Sequence, residues 1–257
     1  MNNSLNGIKI LVTRAEHQAD EFNQLIHQFG GCPINLPLQK IVKIDISINE
    51  LEQLVLDTEW ILFTSVNSVN YFVQNITKDL KQKILQKKIG AVGEKTKNRL
   101  FEEGFEVAFL PSQFTGKTFA SELSYIVEKG TKFLFLRGSL ASDNVPKILG
   151  ENGHVVNSLT VYETIANLAI KNELLNLLIN KKLDVITFLN PFSVEQFCLL
   201  IGNAISMDDL NNIQIACIGE VTAQKAREKG LNNIIVPSKF TTEALIKKIV
   251  DDRNRIV

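Results

Sequence analysis

Apolar positions along the chain fall into short continuous runs that alternate with stretches at helical spacing. Ile8 to Thr13 is a near-continuous apolar run, as expected of a strand covered on both faces. Ala19, Phe22, Leu25, Ile26 and Phe29 then recur at helical spacing, and Gly30-Gly31 provides the stop. Trp60 to Phe63 predicts a second strand, and Val66, Val69, Phe72, Val73 and Ile76 mark its helix. Ile89 to Val92 predicts a third, ended by Gly93 and followed by a helix closing at Gly104. Phe133 to Leu136, Val185 to Leu189 and Gln214 to Ile218 repeat the pattern. Val107 to Leu110 and Asn233 to Val236 read as short strands ahead of Pro111 and Pro237. Such alternation implies parallel sheets with helices on both faces, about five strands to a domain.

The chain also resembles itself. Ile89 to Thr115 laid over Ile215 to Thr241, an offset of 126, gives ten identical positions. They are Ile89, Gly93, Glu94, Thr96, Glu102, Gly104, Pro111, Ser112, Phe114 and Thr115. Unrelated segments would share about two, so the halves are an internal duplication. Upstream, the segment ending Phe63-Thr64-Ser65 pairs with the one ending at Asn190 at offset 125, with Val69 and Phe72 on Val194 and Phe197. Val12-Thr13-Arg14 pairs with Phe135-Leu136-Arg137 at offset 123, and Gly30 with Gly153. Two β-rich segments, near 35–46 and 157–167, stand apart from the strand-helix units. Paired with each other they would form a two-stranded connector. Residues 1–36 and 167–257 would then make one discontinuous domain and 38–165 the other.

Composition narrows the function. With 28 Lys and Arg against 28 Asp and Glu the formal charge is zero. A general nucleic-acid binder and a polybasic membrane-surface protein both need a basic face, so neither partner is expected. No apolar run approaches the roughly 20 residues that span a bilayer. The start of the chain offers only Ile8 to Val12, interrupted by Lys9, which is too short for a signal-peptide core and predicts a cytoplasmic protein. Cys32, Cys198 and Cys217 read as small buried hydrophobes, and His17, His27 and His154 as surface or satisfied positions. No spacing calls for a metal, and neither GxxxxGK[ST] nor GxGxxG is present.

In open parallel sheets, ligands bind beyond the carboxyl ends of the strands. There lie Thr13-Arg14-Ala15-Glu16, Phe63-Thr64-Ser65-Val66-Asn67, Val92-Gly93-Glu94-Lys95-Thr96 and their second-half counterparts. Thr64, Ser65, Thr96, Ser193 and Thr222 suit helix N-caps, and Asp143 does too. The same helix starts present backbone N–H groups to carboxylates or phosphates, and two such sets facing a cleft would hold a polyanion. Tyr162, one of three tyrosines, falls in the expected connector. It reads either as a packing residue with a wet hydroxyl or as a proton donor, because a phenol stays protonated at neutral pH. A two-domain small-molecule sensor without chemistry, or an enzyme of phosphorylated metabolites, are the competing classes.

The ordered set Leu11-Val12-Thr13-Arg14, Phe63-Thr64-Ser65, Ala91 to Thr96, Val161-Tyr162-Glu163, Ile218 to Thr222 and Pro237 to Thr241 resembles the uroporphyrinogen-III synthase family over almost the whole chain. The resemblance implies an α/β protein of two similar domains, each a parallel five-stranded sheet flanked by helices, joined by a two-stranded β connector. It implies a cofactor-free, monomeric lyase of heme biosynthesis. The substrate would be hydroxymethylbilane, a linear tetrapyrrole with eight carboxylates, closed into a ring with loss of water and inversion of the last pyrrole. By similarity Tyr162 is the catalytic residue that assists departure of the hydroxyl. Substrate-binding positions would be Thr13, Arg14, Thr64, Ser65, Asn67, Thr96, Arg137, Asn190, Ser193 and Thr222. Glu220-Val221 stands where Pro-Thr is common, and Phe188-Leu189-Asn190 lacks the two hydroxyls of Phe63-Thr64-Ser65.

Overall fold

The computed structural model describes residues 4–256, with the backbone alone at 16–18, 255 and 256. The expectations for Met1 at the chain start and for the side chains of Glu16 and His17 lie outside the described residues. In chain order the elements are β1 (Lys9–Val12), α1 (Glu16–Gln28), β2 (Cys32–Asn35), β3 (Gln39–Lys43), α2 (Ile48–Leu56), β4 (Trp60–Phe63) and α3 (Val66–Val73). There follow α4 (Lys78–Ile84), β5 (Lys88–Ala91), α5 (Glu94–Glu102), α6 (Gly116–Ile126), β6 (Lys132–Gly138), α7 (Asn144–Glu151) and β7 (Val155–Ala166). The remainder is α8 (Lys171–Ile179), β8 (Val185–Phe188), α9 (Pro191–Ile201), β9 (Gln214–Cys217), α10 (Glu220–Glu228), β10 (Ile234–Ile235) and α11 (Thr242–Ile256). No described helix is long and apolar enough to cross a membrane.

The chain divides into two compact units, residues 1–40 with 165–257, and residues 41–164. The first holds a sheet in the order β10-β9-β8-β1-β2, and every pair in it is parallel. Its strands β8 and β9 are buried at every residue, which is why they read as unbroken apolar runs. One core cluster on this sheet includes Phe188, Phe197 and Leu174, and a separate one includes Phe22, Ile26 and Ile249.

The second sheet has the order β3-β7-β6-β4-β5, with β4, β5, β6 and β7 parallel. Hydrogen bonds from Asn167 N to Leu38 O and from Ile44 N to Val161 O give β3 the opposite direction to β7. Its cores gather Phe63, Phe72 and Phe105 in one cluster and Phe119, Phe133 and Phe135 in another.

The duplication reappears as register. Lys9 pairs with Cys32 and Lys132 with Val155, both related by 123. Val185 pairs with Gln214 as Trp60 does with Lys88. An edge-to-face ring pair, Phe63 with Phe72 at 5.5 Å, recurs as Phe188 with Phe197 at 5.4 Å. Each such pair adds about 1 kcal/mol beyond its buried area. Left-handed glycines close equivalent helices: Gly104 and Gly230 after α5 and α10, and Gly30 and Gly153 after α1 and α7. At each, the next residue's N–H returns to a carbonyl five positions earlier, a closure that needs φ above zero.

Several expectations are corrected. Val107 to Leu110 forms only a single bridge, Phe109 to Gly90, so β3 and not this segment is the fifth strand of the second sheet. The helix expected through Ile76 stops at Val73, because Thr77 accepts from Leu80 N and caps a new helix, α4. β7 is more than a connector strand: its first six residues pair with β6. Cys32 is exposed, not buried. His154 is buried with its Nδ1 unpartnered and its ring against Phe133, so it is not fully satisfied.

Burial pushes the Cys217 thiol up to about 12 and raises that of Cys198 as well. Thiolates are the reactive species. A maleimide at neutral pH is therefore expected to label Cys32 promptly, Cys198 slowly and Cys217 only after denaturation, as read by peptide mass spectrometry. Rapid labelling of Cys217 in the folded protein would contradict this packing.

Candidate active site

Both sheets reverse their winding beside β1 and β6. In the first unit the reversal lies between β1 and β8, and in the second between β6 and β4. The loops leaving these strands are therefore the places where each unit can hold a ligand.

In the second unit, β4 ends at Phe63 and Ser65 caps α3. The Ser65 hydroxyl accepts from Ser68 N at 3.1 Å, and Ser68 Oγ donates back to Ser65 O at 2.7 Å. Ser65 Oγ also lies 3.4 Å from the Tyr162 hydroxyl. Tyr162 sits on β7 opposite Gly138, where the β6–β7 register shifts. Its ring lies directly on the bare Cα of Gly138. A β-carbon at Gly138 would come within 2.2 Å of Tyr162 Cζ and 2.5 Å of the hydroxyl. On the other side the ring meets Tyr71 at 5.4 Å between centroids. Tyr71 is itself held by a 3.4 Å bond from its hydroxyl to Ile41 O. Tyr162 is half-buried, so its side chain is held by these contacts without being fully enclosed.

Arg137 stands one residue before Gly138. It donates to Asp143 Oδ1 at 2.5 Å and to Ala141 O, and lies over the Phe135 ring at 5.7 Å. Asp143 occupies the cap position of α7 but makes no cap hydrogen bond, which corrects its expected role. Its carboxylate goes to Arg137 instead, so this guanidinium is already partly neutralised. Thr64 precedes the cap and is therefore not one, which corrects its expected role; it and Asn67, in the first turn of α3, are half-buried.

The first unit repeats the cap with different side chains. Asn190 Oδ1 accepts from Ser193 N at 2.7 Å, and Ser193 Oγ donates to Asn190 O at 2.7 Å. Asn190 thus replaces Ser65 without loss of the cap, and Ser193 is not a cap but its partner. Gln39 Nε2 reaches Asn190 Oδ1 at 3.5 Å. Thr13 is buried, and its hydroxyl donates to Thr187 O at 2.8 Å while Thr187 Oγ1 donates to Leu11 O at 2.7 Å. These two bonds stitch β1 to β8 at the point of reversal. Arg14 follows, half-buried.

Thr96 and Thr222 are not caps. Gly93 and Gly219 hold those positions with no side-chain bond, and each threonine is the third helical residue, buried in the first turn. Glu220, whose charge would oppose an anion, is paired with Arg227 at 2.5 Å along α10. Among the described residues no cluster of His, Cys, Asp and Glu could hold a metal ion.

The structure therefore brings Ser65 and Tyr162 together in one unit, and Asn190 with Ser193 in the other. Gly138 and Tyr71 escaped the sequence reading. A glycine at a strand end facing a tyrosine many residues away carries no local signal. The tyrosine count did hold one, since Tyr71 is among only three.

A doubly wound α/β unit whose winding reverses beside polar, helix-starting loops has its natural ligand places at the carboxyl ends of those strands. The pattern of uroporphyrinogen-III synthase HemD matches residues 20–247, and the chain belongs to this family. Uroporphyrinogen-III synthase of Chlorobaculum parvum is 29% identical over 247 residues, covering 94% of this chain and 98% of that protein. The Synechococcus elongatus enzyme is 24% identical over 250 residues, covering 95% and 94%. In fold, the chain matches the crystal structure of uroporphyrinogen-III synthetase from Helicobacter pylori at a TM-score of 0.65 and 19% identity, over 96% of this chain and 100% of that one.

Proposed function

We propose that this chain closes hydroxymethylbilane, a linear tetrapyrrole with eight carboxylates, into uroporphyrinogen III. Water is lost and the last pyrrole ring is inverted, which makes the protein a cyclising lyase of heme biosynthesis. Family membership over residues 20–247 is the observation that carries this reading.

The residues fit the task in chemical terms. The leaving group is a hydroxyl on the carbon attached to one terminal pyrrole, and it departs as water once protonated. The Tyr162 phenol is the donor in this reading, with Ser65 orienting it from 3.4 Å. Loss of the hydroxyl leaves an electron-deficient carbon that the far end of the chain attacks through its substituted position. That attack sets up the inverted ring. Control of geometry matters more than acceleration here, since the bilane also cyclises in water without inversion.

The carboxylates would be held by backbone amides at helix starts, with Ser65 and Asn67 at α3, Thr96 at α5, Asn190 and Ser193 at α9 and Thr222 at α10. Thr64, Thr13, Arg14 and Arg137 would flank them at strand ends. Because Thr13, Thr96 and Thr222 are buried, their part in this reading is to hold the loop backbone, not to offer a hydroxyl. The protein is expected to act as a monomer in the cytoplasm.

Incubation with freshly generated hydroxymethylbilane, oxidation and separation of isomers tests the proposal. Type III porphyrin is expected in clear excess over the uncatalysed type I. Type I alone would reject the assignment.

A further inference from the structure

Resting on the proposed synthase function, with Tyr162 as its proton donor, the contacts around that ring carry one more step. All of them lie within residues 41–164. Helix α3 reaches the phenol twice. Ser65, at its cap, approaches the hydroxyl, and Tyr71, further along the helix, approaches the ring. The two tyrosine rings stand at 34° to one another with centroids 5.4 Å apart. Ser65 alone fixes the phenol weakly, since 3.4 Å is long for a bond between hydroxyls. Gly138 bounds the ring on one side only.

The core does not require a tyrosine at position 71. Ser68, Val69 and Phe72 are the buried residues of α3. Tyr71 is half-buried and packs on the margin of that core, where an apolar side chain of similar size would serve equally well. Its hydroxyl does what an apolar side chain cannot: it donates to Ile41 O on β3 at 3.4 Å. Just beyond the end of α3, Asn75 Nδ2 donates to Ile44 O at 3.3 Å and to Tyr71 O at 2.9 Å. β3 in turn is bound to β7 by Ile44 N, which donates to Val161 O at 3.2 Å, next to Tyr162. The contacts thus form a closed circuit from α3 to β3, from β3 to β7, and from Tyr162 back to α3. A ring anchored at its hydroxyl end has lost its rotamer freedom, and it denies the same freedom to the ring that leans on it.

We propose that Tyr71 is a positioning residue that acts through Tyr162, its anchored ring closing the side of the phenol that Gly138 leaves open. Tyr71→Leu keeps apolar volume but loses the plane and the anchor, and is expected to lower kcat about tenfold while KM changes less than about twofold. Tyr71→Phe removes one oxygen, leaves the fold in place and is expected to lower kcat about threefold. In a Tyr162→Phe background neither substitution should lower kcat further by more than about twofold, because no phenol remains to be placed. Their effects on melting temperature should be the same in both backgrounds, since Phe keeps the ring contact. A residue that only packs would lower kcat by equal factors with and without the Tyr162 hydroxyl, and that result overturns the proposal. So does kcat within about twofold of the unsubstituted protein in both single variants. Fluorine NMR of protein labelled with meta-fluorotyrosine gives a reading independent of activity. With three tyrosines in the chain, Tyr162→Phe assigns the Tyr162 line. That line is expected to shift and broaden in Tyr71→Leu and Tyr71→Phe, and an unchanged line in both overturns the proposal. Type I product alone from the unsubstituted protein defeats the synthase reading, and the NMR line then decides whether Tyr71 places the phenol.

Discussion

Tyr162→Phe is expected to lower turnover about a hundredfold while leaving the fold in place. The substitution deletes one oxygen and keeps the ring. Its packing on Gly138 and against Tyr71 at 5.4 Å is retained, so the second sheet keeps its register. What disappears is the hydroxyl 3.4 Å from Ser65 Oγ. Losing one such half-buried hydrogen bond costs about 1 kcal/mol of stability, too little to unfold a domain. Turnover suffers more, because the hydroxyl of the substrate must then leave without a positioned donor. Solvent protons can substitute for the phenol, so the residual rate of Tyr162→Phe should rise as pH falls, more steeply than that of the unsubstituted protein. Initial rates of type III formation between pH 6 and 8, beside thermal melts, decide the matter. Unchanged turnover would remove the acid role from Tyr162. Ser65→Ala should reproduce part of the loss, because Ser65 caps α3 as well as facing the phenol. Ser65→Asn restores the cap seen at Asn190 in the other unit but not the hydroxyl, and so separates the two contributions.

Much of the architecture was legible because buried parallel strands are apolar throughout. Trp60 to Phe63 was read with the bounds that β4 has, and Val185 to Leu189 missed by one residue. The duplication helped further, since equal offsets in sequence became equal registers between strands. Legibility failed where apolarity was weak. β2, Cys32–Asn35, contains a proline and an asparagine and is partly exposed, so it carries no strand pattern of its own. Only β7, its counterpart in the duplicated half at the same offset, hints at it.

At the candidate site the caps were half legible. Ser65 is the cap its type and place suggest, but Thr96 and Thr222, equally suited by type, lie inside the first turn of helices whose cap positions are glycines. A helix start can be read to within a turn, and capping chemistry depends on the single residue. Contacts between distant segments were invisible. Arg137 was expected to be open to a ligand, and the carboxylate that occupies it sits six residues on, where it looked like a cap. Ser65 and Tyr162 are separated by 97 positions, and only the fold of the second sheet brings them together.

Gly138→Ala tests that last juxtaposition with the larger expected consequence. A methyl group there would stand 2.2 Å from Tyr162 Cζ and 2.4 Å from Cε2, distances that packed atoms do not tolerate. The backbone at Gly138 needs no left-handed φ, so alanine meets no obstacle except the ring. Either β6 and β7 separate where their register already shifts, or the ring swings off toward solvent. The ring is the softer element, being half-buried, and its displacement breaks the approach to both Ser65 and Tyr71. A destabilisation of about 2 kcal/mol is expected, in the range of overpacked sites. Turnover should fall at least as far as in Tyr162→Phe, since the ring is lost from its place together with the hydroxyl. Two double variants distinguish cause from coincidence. Gly138→Ala with Tyr162→Phe should turn over no more slowly than Gly138→Ala alone, because a displaced phenol has nothing further to lose. Gly138→Ala with Tyr162→Ala should be about as stable as Tyr162→Ala alone, because the clash disappears with the ring. Urea unfolding gives the stabilities and isomer-resolved rates give the turnover. If Gly138→Ala keeps full activity, or if the alanine pair stays as unstable as the single variant plus a lost tyrosine, Gly138 does not seat the phenol.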